Sequence, residues 1–315
     1  SSQIFKNFYC SKKSPDTHFR IEHVTESFVF KKLSKLNATK STGLDGIPSK
    51  FVKDSACVLK IPITFIINMS IDSGIVPDDM KSARVSPIYK KSSPLEVGNY
   101  RPVSILNVVI KVLERSVYNQ FADYLNKYSL LYQFQSGFRS KFSTDTCLIH
   151  LLDFIKQNNA KGFNTGMVLL DLQKALDTVG QVILCNKLSE MGVESIDWFK
   201  SYLTDRSQLV KINKVSSKST KVTCGVPQGS ILGPLLFLCY VNDMPTCIDN
   251  DCKLLLYADD SVILFADKNP TVIAEKLSYV MNNCSTWLVD NKLSLHLGKT
   301  ECMLFGSNRK LKKVK

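Results

Sequence analysis

Lys253-Leu-Leu-Leu-Tyr257-Ala258-Asp259-Asp260-Ser261-Val-Ile-Leu-Phe265 is the stretch on which the fold turns. Leu254 to Tyr257 and Val262 to Phe265 are apolar runs of strand length with a tight turn between them, so the segment predicts a buried hairpin. Its tip carries adjacent carboxylates. Like charges this close raise each other's pKa, and beside apolar strands they are costly unless a cation or donors satisfy them. A hard divalent metal such as Mg²⁺ takes oxygen ligands and keeps positions open for phosphate oxygens. The plain alternative is a pair of solvated turn formers, a common role for Asp.

A second acid in a similar setting favours the metal. Gly166-Met-Val-Leu-Leu170-Asp171-Leu172 is another apolar run of strand length that ends in a carboxylate. Side by side, the two strands would bring Asp171, Asp259 and Asp260 into one cluster, able to hold two metal ions about 3.5–4 Å apart for in-line phosphoryl transfer.

Composition limits the partners. An excess of 41 Lys and Arg over 28 Asp and Glu gives a net charge of +13, which suits nucleic acid or an acidic membrane surface, or marks a merely basic soluble chain. With 44% hydrophobic residues in 315, the chain can build one large domain or two moderate ones and is not disordered. Its 10 cysteines form no Cys-x-x-Cys, and Cys247 and Cys252 have no histidine nearby, so zinc is not indicated. Most of the others lie in apolar segments, as free thiols do in reduced intracellular proteins. No signal peptide is evident. The longest apolar run, Ile231 to Val241, is broken by Gly233-Pro234 and is too short to span a bilayer. The chain begins at Ser1 without a Met, as a fragment of something longer would.

Outward from the acids, the chain alternates helices and strands. Residues 1–24 read as a loose polar lead-in. Thr25-Glu26 opens a helix to Leu36 with Phe28, Val29, Leu33 and Leu36 on one face, and further helical segments close at Gly74 and Pro77. Ala83 to Lys91 and Asn99 to Leu106 suggest a hairpin with Arg84, Lys90, Lys91 and Arg101 on or near one surface, suited to a triphosphate or a nucleic-acid backbone. A lysine-guarded edge strand would look the same. In Gln133 to Thr144, aromatics alternate with Arg and Lys around Gly137, and Phe138 and Arg139 either stack and pair along a nucleic-acid strand or anchor their own loop.

Thr144 to Ile155 is an amphipathic helix capped by Ser143 or Thr144. Lys174 to Asp177 turns the chain into another helix that runs to about Met191, where Gly192 closes it. Two β segments precede Gly225-Val-Pro-Gln228-Gly229-Ser-Ile-Leu-Gly-Pro234, a loop bare enough for another backbone or a base pair to approach closely. Asn269-Pro270 starts a long helix with Ile273, Leu277, Met281, Cys284 and Leu288 as its buried stripe. Leu293 to Leu297 and Glu301 to Phe305 suggest a strand pair across Gly298-Lys299-Thr300. Lys299 there is either a proton donor to departing pyrophosphate or a solvated turn lysine.

From about Thr25 to Phe305 the chain resembles reverse transcriptases of non-LTR (LINE-type) retrotransposons. The resemblance is carried by Ser41 to Pro48, Asn99-Tyr-Arg-Pro-Val-Ser-Ile-Leu106, Gln135-Ser-Gly-Phe-Arg139, Asp171 to Val179, Gly225 to Pro234, Tyr257-Ala-Asp-Asp260 and Asn291-Lys-Leu-Ser-Leu295 with Lys299-Thr-Glu301. It implies an α+β right-hand polymerase whose antiparallel palm sheet is backed by helices. Residues 25–165 would be the fingers with part of the palm and 166–306 the palm, followed by a basic tail at 307–315, with the thumb largely absent.

The resemblance also implies RNA-directed DNA synthesis with Mg²⁺, or Mn²⁺, on Asp171, Asp259 and Asp260. Lys90 and Arg101 would grip the incoming nucleotide, Gln228 and Gly229 would position it against the template, and Lys299 would be the general acid. Leu176 stands where the family usually has an aromatic that excludes the ribose 2′-hydroxyl. Read from the residues rather than from the resemblance, Arg84, Lys91, Phe138 and Arg139 are candidates for further nucleic-acid contacts. The implied partners are an RNA template, a DNA primer or target and dNTPs, without a membrane. Endonuclease and thumb segments would be encoded elsewhere or lost, and the setting would be intracellular, in the nucleus or a cytoplasmic ribonucleoprotein. A catalytically inactive nucleic-acid-binding remnant and an RNA-templated RNA polymerase are the alternatives.

Overall fold

The computed structural model describes residues 6–9, 16–213 and 215–307; the basic tail, apart from Ser307, lies outside them. Among these residues the strands are β1 (Ser82–Tyr89), β2 (Tyr100–Ile105), β3 (Asn164–Leu170), β4 (Arg206–Ile212), β5 (Val215–Ser216), β6 (Thr220–Val222), β7 (Lys253–Tyr257), β8 (Asp260–Asp267) and β9 (Glu301–Phe305). Helices fill most of the remainder, so the fold is mixed α+β. It divides into two compact units.

One unit gathers Ser129–Val179 with the described parts of Ser1–Lys12 and Phe237–Lys315. Its sheet is antiparallel in the order β7-β8-β3-β9. Alternation along the strands sends Met167, Leu255 and Leu264 to one face, where Cys147, Leu151 and Phe154 of the helix Thr144–Ala160 pack on them. Gly166 belongs to the other face. A Cβ there would meet Ile273 and Leu277 of the helix Pro270–Asp290 at 2.3 and 2.6 Å, so the bare position lets that helix lie close. The long helix starts at the Asn269 cap, as its Asn-Pro signal predicts, and Val280 and Trp287 join its buried stripe.

Leu293 to Leu297 departs from the expected strand. Alternating leucines favour one, but β9 pairs with β3 instead, from Leu169 opposite Glu301 to Thr165 opposite Phe305. The 293–297 segment keeps a single bridge, Leu172 to Leu295, and runs into a 3₁₀ turn at Leu297–Lys299. That route carries Lys299 to Asp171.

The other unit comprises the described residues of Lys13–Tyr128 and Gly180–Leu236. Its sheet runs β2-β1-β4-β5, with β6 also on β4, and β1 pairs with β4 in parallel. Phe19, Phe121, Tyr124, Trp198, Phe199 and Tyr202 build an aromatic core. The end of the lead-in is therefore not loose: Phe19, Ile21 and Val24 are buried, and Phe19 exchanges backbone hydrogen bonds with Gly192 and Glu194. The helix expected to run to about Met191 starts at Gln181 and ends at Glu190, with Gly180 in extended backbone before it.

The helix Ala56–Ser73 is long and apolar enough to cross a membrane by length and composition. It buries Ile63 and Ile67 and packs on the helix Glu26–Ser34, with Lys60 paired to Glu26, while Val58, Ile61, Phe65 and Met69 are exposed.

Candidate active site

The hairpin forms as its sequence predicts. β7 and β8 pair from Lys253 opposite Leu264 to Tyr257 opposite Asp260, leaving Ala258 and Asp259 as a two-residue turn. Ala258 has φ of 57°, a left-handed conformation that costs a non-glycine residue about 1–2 kcal/mol. Local hydrogen bonding offsets it. Gln135 is buried, and its Oε1 accepts from the N–H of Ala258 at 3.0 Å and of Gly137 at 2.8 Å. Ser136 N–H donates to Leu256 O, and Leu256 N–H to Phe134 O, so residues 134–136 run parallel to β7 through a single bridge from Gln135 to Leu256. A Cβ on Gly137 would lie 2.1 Å from Ala258 N, hence the glycine.

Gln135 and Gly137 brace the acidic turn, a role that their residue types alone do not reveal. Arg139 is likewise occupied locally. Its Nη1 donates to the carbonyls of Tyr132 and Gln135, and its guanidinium stacks on Phe142 at 4.2 Å, which favours the loop-anchoring alternative for this residue. Phe138 is exposed.

The second acid arrives by register. β3 pairs with β8 up to Leu170 opposite Ser261, so Asp171 leaves β3 alongside Asp260. Asp260's carboxyl is pushed above the usual range by burial first, then by the negative charges of Asp259 and Asp171, against the pull of Lys299. Lys299 Nζ donates to Asp171 Oδ2 at 2.7 Å, and the backbone of His296 donates to Asp171 O. Among the described residues no three His, Cys, Asp or Glu side chains draw together tightly enough to be a ready-made metal cage. The acids form an open cluster with one lysine bound at its edge. Leu176 sits half-buried on the single-turn helix that follows.

The cations and the bare loop belong to the other unit. β1 and β2 pair with Arg84 opposite Ile105 and Ile88 opposite Arg101, which puts Arg84 and Arg101 on one face, with Lys90 next along it; Lys91 lies beyond the strand end. The parallel pairing with β4 adds neighbours the sequence did not assign. Arg84 is opposite Leu209, and Ser207 is opposite both Ser82 and Lys221, so Lys211 and Lys221 share that face. A period-two reading could have found them only with the β1 to β4 pairing known.

In the loop, Ser104 N–H donates to Gln228 O at 2.6 Å, and Gly229 has φ of 110° with no room for a Cβ, which would lie 2.5 Å from Ser104 O. The close approach expected of this loop is thus made by a backbone, that of β2.

Residues 88–315 match the family model described as reverse transcriptase (RNA-dependent DNA polymerase). The chain is 29% identical over 233 residues to a probable RNA-directed DNA polymerase from transposon BS of Drosophila melanogaster, covering 73% of this chain and 25% of that protein. It is 30% identical over 220 residues to the RNA-directed DNA polymerase from mobile element jockey of the same fly, covering 68% and 24%. To a Pol polyprotein from retrotransposable element R2 of Popillia japonica it is 25% identical over 190 residues, covering 59% and 26%. The chain spans about a quarter of the length of these curated relatives.

Proposed function

The chain belongs to the reverse transcriptase (RNA-dependent DNA polymerase) family, and we propose that it is the RNA-directed DNA polymerase segment of a non-LTR retrotransposon protein. It would extend a DNA primer on an RNA template from dNTPs. In the same reading the unit with β3, β7, β8 and β9 is the palm, and the sheet with Arg84 and Arg101 belongs to the fingers.

The single observation that carries the reading is the register of β3 on β8, which gathers Asp171 and Asp260 beside Asp259 at strand ends otherwise made of apolar residues. Mutually repelling, partly buried carboxylates are a donor set of hard oxygens that fits Mg²⁺ or Mn²⁺. Bound there, the cation would supply Lewis acidity to the primer hydroxyl and charge neutralisation to the triphosphate. Asp171, Asp259 and Asp260 would hold it, and the braced turn keeps Asp259 in place.

Lys299 already balances part of the negative charge at Asp171; with substrate bound, its ammonium would give a proton to the departing pyrophosphate. Arg101 and Lys90 would bind the triphosphate, and Gln228 and Gly229 would bear on the paired bases. Leu176 would face the sugar, offering less bulk than an aromatic against a 2′-hydroxyl.

Primer extension on an RNA template tests the proposal. The parent chain is expected to incorporate dNTPs with Mg²⁺ or Mn²⁺ and Asp259→Ala is expected to incorporate none. Equal extension by that variant would refute the assignment, whereas RNA binding without incorporation by the parent would favour an inactive remnant.

A further inference from the structure

Glu114, on the helix Val108–Lys127, is a fully buried carboxylate that the chemistry above does not use. Such a charge is tolerated only when paired and hydrogen-bonded. Both oxygens are engaged: Oε1 accepts the Tyr202 hydroxyl at 2.7 Å, and Oε2 accepts the Ile231 N–H at 2.8 Å. Arg206, also buried, donates to Tyr202 O at 2.9 Å and lies over the Tyr202 ring. Burial raises the Glu114 pKa, and the charges of Arg206 and Lys111 work the other way, favouring the carboxylate.

The geometry says what the carboxylate is for. Ile231 lies just past Gln228 and Gly229, whose backbone rests on β2 through Ser104. Ser230 Oγ donates to Pro227 O and accepts from Gly233 N–H, closing the loop on itself. The loop is therefore tied at one point to β2 and at another to Glu114. An apolar side chain in that place would leave the N–H of the half-buried Ile231 without its acceptor.

We propose that Glu114 is a positioning residue for nucleotide selection: by holding the Ile231 N–H and the Tyr202 hydroxyl it fixes the Gln228–Gly229 turn against which the incoming nucleotide is placed. The inference rests on the polymerase reading.

Steady-state primer extension with Glu114→Gln and Tyr202→Phe tests it, alongside hydrogen exchange of the same proteins. Glutamine keeps the volume but has one acceptor oxygen for two donors. Glu114→Gln is expected to raise KM for the incoming dNTP about tenfold with kcat within about twofold. Tyr202→Phe should shift KM less in the same direction, and the double variant should be no worse than Glu114→Gln alone. Amide exchange in residues 225–234 should rise about tenfold in Glu114→Gln while the 253–265 hairpin stays as protected as in the parent.

Equal loosening of both segments, or unchanged exchange at 225–234, overturns the proposal, as does an unchanged KM in an active protein. Should the parent incorporate nothing, the exchange comparison decides alone. Asp259→Asn separates the two levels. Full activity in that variant sinks the polymerase reading, whereas its inactivity beside an unaltered Glu114→Gln sinks only the role of Glu114.

Discussion

In the β7-β8-β3-β9 sheet helices cover both faces, and the carboxylates at issue sit where the strands end; in the sheet built on β1, one face carries Arg84, Arg101, Lys211 and Lys221. The first sheet spends its packing on fixing a few acids in place: the turn bearing Asp259 is strained at Ala258 and held by Gln135. The second offers long, rotatable cations on a surface. A fixed acid cluster suits a reacting centre, where small displacements matter, and a cationic face suits a polyanion gripped at many points.

Substitutions should divide along that line, kcat following the first sheet and KM the second. The largest effect is expected for Asp171→Asn, which should lower kcat by about a thousandfold or more with little change in thermal stability, read by primer extension and melting. A loss confined to KM would erase the contrast.

Gly137→Ala should come next. Its new methyl would collide with the backbone of Ala258, destabilising by about 1–3 kcal/mol in denaturant titration and lowering incorporation with it. Parent-like stability and rate would mean that the turn is not braced from residues 134–137. Arg101→Ala should raise KM for dNTP about tenfold while stability stays within about 0.5 kcal/mol, because the side chain is exposed. Asp260→Asn should have the smallest and opposite effect on stability. With chelator present, removing one of the like charges should raise Tm by about 2–4 °C, and the stabilisation given by added Mg²⁺ should shrink.

How far the sequence could be read follows from which forces are local. The hairpin and its acids were legible because apolar runs flanking a short polar turn have few other folds. Asp171 was legible for the same reason, and the long helix by its cap and stripe. The partner of β9 was not, since alternating leucines at 293–297 satisfy the strand pattern whichever segment they face. Nor was the brace on the acidic turn. It depends on a side-chain amide of Gln135 meeting a backbone N–H far along the chain, and only a parallel alignment beside β7 brings them together. The contribution of Lys211 and Lys221 was hidden likewise, behind a parallel pairing of β1 with β4.

Mn²⁺ uptake followed by electron paramagnetic resonance, with a deoxynucleotide present, bears most directly on the acid cluster. The parent should bind the ion, and both Asp171→Asn and Asp259→Asn should lose most of that binding while remaining folded. Undiminished Mn²⁺ affinity in either variant would contradict a shared cation site at the ends of β3 and β7.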